Sequence, residues 1–146
     1  MPVLVGSCEL MLQLGYSPEQ DLQIADYLSA LREQVQADGR RIAVIASADL
    51  AHLGPRYGDQ ESYTPIREEE IKADDGRMLG LLEQCDPEGF FLEVARLKDA
   101  RKICGLGPIY FAFKLAGPTR AEVLKWSVWY DSTSRSAVSF CALALY

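Results

Sequence analysis

The sequence predicts an α/β fold, in which helices flank a central mixed β-sheet. Near the N-terminus, a short apolar run, an amphipathic segment and a second apolar run follow one another. The order strand, helix, strand is typical of α/β proteins. Near the C-terminus, two segments rich in β-branched and aromatic residues flank the turn-forming sequence STSR, as the strands of a hairpin do. We expect a single domain over residues 1–146.

The N-terminal elements are predicted from capping residues and from the spacing of apolar side chains. The run PVLVGS is expected to form a buried strand. A helix should begin at Ser17, an N-cap followed by a proline and by Gln20 in a capping-box position, and should end at Gly39. Its apolar face is formed by Ile24, Leu28, Leu31 and Val35. Residues 42–46 are apolar throughout, which predicts a central strand covered on both faces.

The rest of the chain alternates loops and apolar segments. Residues 53–63 predict a long loop, and a helix should follow Thr64-Pro65 as far as Cys85, weakened at Gly76. Asp86-Pro87 repeats the cap and proline pattern and predicts a short helix. After the turn CGLGP, the segment IYFAFKLA predicts a buried helix. The segments EVLKWSVWYD and SAVSFCALALY predict the two strands of the hairpin, whose aromatic residues we expect to pack in the core or on the sheet.

Composition disfavours several classes of protein. The chain has 15 basic and 21 acidic residues, a net charge of −6 and no basic cluster, so we expect no nucleic-acid or anionic-membrane partner. Its four cysteines form no CxxC pair and it has a single histidine, which argues against structural zinc. It shows no signal peptide and no apolar run long enough to span a bilayer, so we expect a cytoplasmic protein with reduced thiols.

The single histidine lies in the segment ASADLAHLGPRYGD, where a predicted strand gives way to a loop. Ligand sites of open α/β sheets gather beyond the carboxyl ends of strands, so Asp49 and His52 could both face such a crevice. There His52 could act as a general acid or base, with its ring oriented by the carboxylate of Asp49. The alternative is structural: His52 caps a turn and Asp49 binds loop amides. Spacing alone leaves both interpretations open.

Cys104 is the second candidate, because it precedes a predicted helix and is followed by Gly105. Backbone N–H groups at a helix start favour a thiolate, which predicts a lowered pKa and a nucleophile, redox thiol or soft metal ligand. The alternative is a small buried apolar side chain. The other three cysteines, Cys8, Cys85 and Cys141, lack such surroundings and are interpreted as packing residues.

Several blocks of the sequence resemble the Memo proteins, whose bacterial relatives are named protein B of the AmmeMemoRadiSam system. ASADLAHLGPRYGD resembles their S-S-D-x-x-H-x-G segment. MLGLLEQCDPEGFFLEV followed by RKICGLGPI is similar to a later block with an Asp-Pro helix start and a Cys-Gly-x-x-Pro-Ile turn. WYDSTSRSAVSFCALAL resembles the terminal serine-rich strand region, and MPVLVG resembles the strand that opens the second half of the family fold.

The resemblance implies the fold of the LigB-like class III extradiol dioxygenases, in which a mononuclear non-haem iron opens catechol rings. It places Asp49 and His52 at the positions of the active-site acid–base pair, with His52 as a further candidate metal ligand. It places Cys104 at the third metal-ligand position of Memo proteins. Iron or copper is the implied metal.

Two departures from the family pattern limit that implication. The family's other ligands are two histidines upstream of the segment that resembles MPVLVG, so the chain resembles the C-terminal half of the fold. Leu106-Gly107 also stand where the family often has Arg-His. Because a mononuclear centre needs at least three protein ligands, we expect metal binding by the chain alone to be weak or absent. A lobe supplied by a homo-oligomer or a complementary chain would complete the site.

Two functions therefore follow from the resemblance. One is a metal-dependent redox protein with a dioxygenase-related pocket, active with the missing lobe. The other is a non-catalytic binding or adaptor module that uses the same crevice for a peptide or for a small anionic or phenolic ligand.

Overall fold

Five α-helices and a three-stranded sheet form the fold in a computed structural model that describes residues 1–6 and 8–146, residue 65 by its backbone alone. The helices are α1 (Glu9–Leu14), α2 (Leu22–Ala37), α3 (Glu68–Glu83), α4 (Pro87–Arg96) and α5 (Leu106–Ala116). The strands are β1 (His52–Leu53), β2 (Ala121–Asp131) and β3 (Ser136–Leu145). The predicted α/β class is confirmed.

The sheet has the order β1-β3-β2, and each neighbouring pair is antiparallel. The hairpin of β2 and β3 is the one predicted from the STSR turn; Asp131 pairs with Ser136 at its closed end, where Arg135 takes a left-handed φ of 51°. β1 is short and joins the free edge of β3 through His52, opposite Val138. This pairing brings the only histidine of the chain to the sheet edge.

Two of the expected strands are wrong, since neither residues 2–6 nor residues 42–46 have a strand partner among the described residues. The last residue of the run PVLVGS, Ser7, lies outside the described residues. Ile42 is 45 % exposed and Ile45 is 84 % exposed, so the second segment is not covered on both faces. The chain reaches the edge of β3 only at Leu50, whose N–H donates to the carbonyl of Ser139. An apolar run forms a strand only where a neighbour satisfies its backbone groups.

The helix predicted from Ser17 to Gly39 is divided into two parts. The Ser17–Gln20 capping box is present, with the Ser17 N–H donating to the Gln20 side chain at 3.1 Å, but it caps a 3₁₀ turn over Pro18–Gln20. Asp21 then caps α2 by accepting two backbone N–H groups. At the other end, α2 stops at an extended Asp38 rather than at a left-handed Gly39.

The later helices follow the sequence signals closely. The carboxylate of Asp86 accepts the N–H of Gly89 and begins α4 as predicted. α3 continues through Gly76 without a break, because a single glycine costs a helix only about 1 kcal/mol. α5 begins at Leu106, two residues before Pro108. No helix in the described part of the chain is both long and apolar enough to cross a bilayer.

The main core lies between α3, α4, α5 and one face of the hairpin. Its buried members are Leu50, Met78, Leu79, Leu82, Phe90, Phe91, Val94, Ile103, Leu106, Tyr110, Phe113 and Ala121. Three of these, Leu50, Ile103 and Leu106, lie within two residues of a candidate site residue. The core therefore fixes the backbone on both sides of the site.

We predict that Leu82→Ala destabilises the protein by about 2–5 kcal/mol, because Leu82 is 1 % exposed and its removal leaves a cavity. Leu22→Ala is the control, since Leu22 is 79 % exposed at the start of α2 and its loss should change the free energy of unfolding by less than about 0.5 kcal/mol. Urea unfolding measures both. Equal effects of the two substitutions would contradict the core described above.

Candidate functional site

Asp49 lies in the segment that leads into β1, and His52 is the first residue of that strand. Hydrogen bonds to β3 fix the backbone of both. The N–H of Leu50 donates to the carbonyl oxygen of Ser139 at 2.8 Å, and the N–H of Ala51 donates to the Ser139 hydroxyl at 3.0 Å. Ser139 is buried, so water does not compete for these bonds. These hydrogen bonds therefore fix the positions of Asp49 and His52 at the sheet edge.

Backbone carbonyls orient the imidazole of His52. Nδ1 lies 2.8 Å from the carbonyl oxygen of Lys102 and 3.1 Å from that of Leu50. Because a carbonyl oxygen only accepts, Nδ1 carries the proton of the neutral ring and Nε2 keeps its lone pair. Nε2 lies 3.7 Å from a carboxylate oxygen of Asp49, which is too long for a hydrogen bond. The ring can therefore accept a proton, or bind a metal, through Nε2.

Cys104 lies in the loop before α5, and its thiol donates a hydrogen bond to Oδ1 of Asp49 at 2.6 Å. Partial burial of the sulfur, together with the hydrogen bond and the negative charge of Asp49, raises the pKa of the Cys104 thiol to about 11. The expectation of a lowered pKa is therefore wrong. Cys104 precedes the N-cap Gly105, and a full charge in contact outweighs the partial charge of a helix start.

Gly105 allows the two halves of the site to approach each other. A Cβ at this position would overlap the carbonyl oxygen of Asp49 and would lie 2.8 Å from Cβ of Ala48. The backbone of Gly105 itself is ordinary, with φ −75°. Glycine is required here for space, because any side chain would push the Asp49 segment away from Cys104.

The structure brings Asp49, His52 and Cys104 together, with one ligand atom from each lying within 4.8 Å of the others. Asp49 and Cys104 also line an open cleft of 320 Å³. The remaining lining residues are Ser47, Ala48, Gly105 and Pro108. A nitrogen, an oxygen and a sulfur donor in one place can hold a metal ion or exchange protons with a ligand. The roles assigned to the three residues stay predictions.

Three groups that position this site were not predicted from the sequence. The first is the Ser139 hydroxyl, which accepts the N–H of Ala51. The other two are the carbonyl of Arg101, which accepts the backbone N–H of His52, and the carbonyl of Lys102, which accepts from Nδ1 of that residue. A backbone carbonyl has no sequence signal. Ser139 has one, since a serine in an otherwise apolar strand needs a hydrogen-bond partner when it is buried. Tyr57, also missed, packs edge-on against the His52 ring with 4.8 Å between centroids.

The replacement of Arg-His by Leu106-Gly107 has a structural correlate. A Cβ at Gly107 would lie 2.8 Å from the carbonyl oxygen of Gly6 and 3.0 Å from Val5. Leu106 is 1 % exposed and belongs to the core. The N-terminal segment therefore passes over the start of α5, where a larger side chain at position 107 would displace it.

The remaining candidates pack as expected or lie on the surface. Cys8, Cys85 and Cys141 are half-buried, and burial raises the pKa of Cys8 and, with the charge of Asp75, raises that of Cys141 to about 11. All four cysteines are free. Of the hairpin aromatics, Trp126 packs against the core, whereas Trp129 (48 % exposed), Tyr130 and Phe140 lie on the sheet but are exposed.

Comparison with known sequences assigns the chain to a family. A model of the Memo-like proteins matches residues 12–144. The chain belongs to the Memo-like family. It is 33 % identical over 127 residues to a MEMO1 family protein of Pyrococcus furiosus, and these cover 80 % of the chain and 41 % of that protein. It is 30 % identical over 134 residues to a MEMO1 family protein of Thermococcus onnurineus, covering 86 % of the chain and 43 % of that relative.

A MEMO1 family protein of Thermococcus kodakarensis gives a similar match, with 32 % identity over 130 residues that cover 82 % of the chain and 43 % of the relative. The chain thus spans about two fifths of the length of these curated relatives. The resemblance stated from the sequence is confirmed. The α/β architecture with a small antiparallel sheet is consistent with half of a Memo-like fold.

We predict that Asp49→Asn lowers the pKa of Cys104 from about 11 toward its ordinary value, because the substitution removes the charge that favours the thiol. More thiolate at mildly alkaline pH should speed alkylation of Cys104 by iodoacetamide several-fold. The rate is measured by mass spectrometry of the peptide that contains Cys104, which separates it from the other three cysteines.

Asp26→Asn is the matched control, since Asp26 is exposed on α2. This substitution removes the same charge far along the chain from the thiol and should leave the alkylation rate unchanged. An unchanged rate in Asp49→Asn as well would show that Asp49 does not hold the thiol proton.

Proposed function

We propose that this Memo-family chain contributes one side of a metal-dependent redox pocket related to that of the extradiol dioxygenases. In this proposal Cys104 is the metal ligand, and Asp49 and His52 form the acid–base pair beside it. The observation that supports it is the meeting of the three ligand atoms within 4.8 Å, although Cys104 lies more than fifty residues from the other two along the chain.

The donor set fits iron or copper better than a harder ion. Imidazole and thiolate suit iron and copper, whereas magnesium and calcium prefer oxygen ligands. The His52 ring presents an unprotonated Nε2 because its Nδ1 is committed to backbone carbonyls. The thiol is protonated at neutral pH, and its proton must leave when a metal binds, so binding should weaken at low pH. When bound, the metal would supply the redox chemistry.

The chain's own residues would handle protons. Nε2 of His52 faces Asp49 at 3.7 Å, so a proton taken up by the ring forms an ion pair with that carboxylate. Nδ1 keeps its bonds to the carbonyls of Leu50 and Lys102 when Nε2 takes up a proton. This arrangement suits a general base that removes a phenolic or similar proton at neutral pH.

We further propose that a complementary polypeptide carrying two histidine ligands completes the pocket. A mononuclear centre needs at least three protein ligands. In this proposal Cys104 is the one ligand from this chain, because Asp49 and His52 form the acid–base pair, so the other ligands must come from elsewhere. Trp129 and Phe140 are 48 % and 41 % exposed on the sheet, and Ile45 is 84 % exposed. Large contiguous apolar patches mark protein contacts, and Trp129 and Phe140, on neighbouring strands, are candidates for such a patch. All four cysteines are free, which supports a reducing, cytoplasmic compartment.

One observation favours a second candidate, a binding module without catalysis. The pKa of about 11 keeps Cys104 as a thiol in the metal-free protein, so its sulfur is a hydrogen-bond donor rather than a ligand. The open cleft of 320 Å³ could then bind a peptide side chain or a phenolic acid. Thermal-shift measurements with phosphotyrosine and simple phenolic acids test this candidate, and Asp49→Asn, which changes a residue that lines the cleft, should alter any shift that depends on the cleft.

For the metal proposal, we predict that cobalt(II), used as a spectroscopic probe, gives a thiolate-to-metal charge-transfer band that Cys104→Ser abolishes. Binding to the chain alone should be weak. Cys85→Ser is the matched control, because Cys85 is half-buried and lies outside the cluster. A band that survives Cys104→Ser, or that disappears in Cys85→Ser, would contradict the assignment of the ligand.

For the assembly proposal, we predict that the chain associates through its exposed apolar surface. Light scattering after size exclusion measures the mass over a range of concentrations, and Trp129→Ser with Phe140→Ser should weaken the association. A dimer of the chain alone would identify a second copy as the partner instead of a complementary polypeptide. The proposal would be contradicted if the chain is a monodisperse monomer and its mass does not change when the histidine-bearing half of a relative is added.

A further inference from the structure

We propose that a buried ion pair between Asp75 and Arg101, outside the cleft, positions His52 and selects its tautomer. Asp75 lies on α3 and is 0 % exposed, and Arg101 lies in the loop between α4 and α5 and is 9 % exposed. Their side chains approach to 3.0 Å. The inference concerns the acid–base residue of the proposed function, but the geometry that carries it involves no metal.

The ion pair has a fixed place in the core. The second carboxylate oxygen of Asp75 accepts the indole N–H of Trp126 on β2 at 2.8 Å. Arg101 also reaches the carbonyl oxygen of Ile71 at 3.4 Å and lies 3.5 Å from Asp74. One hydrogen bond and two ionic contacts therefore join the guanidinium to α3, whereas Oδ1 of Asp75 and Nη1 of Arg101 make no hydrogen bond. Through Trp126, the same carboxylate is connected to the hairpin.

The backbone of the same loop holds His52. The carbonyl oxygen of Arg101 accepts the backbone N–H of His52 at 2.8 Å, and that of the next residue, Lys102, accepts from Nδ1 at 2.8 Å. Lys102 takes a left-handed φ of 52°, and its ammonium group pairs with Asp59 at 2.5 Å. The Arg101 side chain thus fixes one end of the short stretch whose carbonyls contact the imidazole.

Stability alone is a weak explanation for this arrangement. Removing two charges from water is costly, and apolar replacements of a buried pair are often neutral or stabilising. A role in conformational specificity explains why one member of the pair, Arg101, belongs to the loop that orients the only histidine of the chain. If the pair is lost, the loop can relax, and the imidazole is then free to place its proton on Nε2. That tautomer no longer presents an Nε2 lone pair beside Asp49.

The test is the ¹⁵N NMR spectrum of the imidazole in metal-free protein at a pH where the ring is neutral. A single histidine gives one pair of side-chain signals, so the assignment needs no further variant. We expect the wild-type shifts to report a proton on Nδ1. In the variant Asp75→Leu with Arg101→Met, which replaces the pair by apolar side chains, we expect a mixture in which the Nε2-protonated form is substantial.

Two further variants keep the result interpretable. Arg32→Met removes a comparable charge that pairs with Glu19 at 2.8 Å, away from the loop, and should leave the imidazole shifts unchanged. Trp126→Phe keeps both charges of the pair but removes the indole donor to Asp75, together with part of a ring that packs against the core, and should shift the tautomer ratio in the same direction by a smaller amount. It serves as the milder variant if the double substitution prevents folding.

Wild-type protein with its proton on Nε2, or a folded variant lacking the ion pair with wild-type shifts, would overturn the inference. Because the measurement uses metal-free protein, it is separable from the cobalt(II) titration. Wild type that shows the Nδ1 tautomer but binds no cobalt(II) would support the positioning role while contradicting the proposed function.

Discussion

The hydrogen bonds from His52 to the carbonyls of Arg101 and Lys102 hold together the two parts of the chain that form the site. His52 comes from the segment that joins the edge of β3, and Cys104 follows Lys102 by two residues in the loop before α5. Fixing this loop against the imidazole therefore also fixes the thiol. The close approach at Gly105 completes the junction, because the carbonyl of Asp49 lies where any side chain would be.

Asp49 gives the site its electrostatic character. Its carboxylate accepts the hydrogen bond of the Cys104 thiol and faces Nε2 of His52. This negative charge favours the protonated form of the sulfur. In this resting arrangement the proton on the sulfur must leave before the sulfur can bind a metal. In the metal-dependent proposal, the site would therefore couple release of the Cys104 proton to metal binding.

The chain belongs to the Memo-like family, and that membership by itself assigns no activity to these three residues. The relatives are more than twice as long as the matched region. Exposed apolar side chains such as Ile45 and Trp129 lie on surfaces that the described residues leave uncovered. At Gly107, the chain accommodates its own N-terminal segment where a larger side chain would collide with Gly6. The exposed apolar side chains support the proposal that another polypeptide contacts this chain.

The sequence by itself determined the elements whose signals are local. The Asp86 cap, the turn of the STSR hairpin and the presence of α3 depend on hydrogen bonds and apolar contacts within a few residues. Asp49, His52 and Cys104 were predicted as site residues first from their places at a strand end and before a helix, and then from their resemblance to a family pattern. Only the tertiary structure decided that residues 42–46 are not a strand, since strand formation needs a partner edge distant in the chain. It likewise decided the pKa of Cys104 and the tautomer of His52. Both depend on a carboxylate and on carbonyls that only folding brings near, and a carbonyl is the same in every residue.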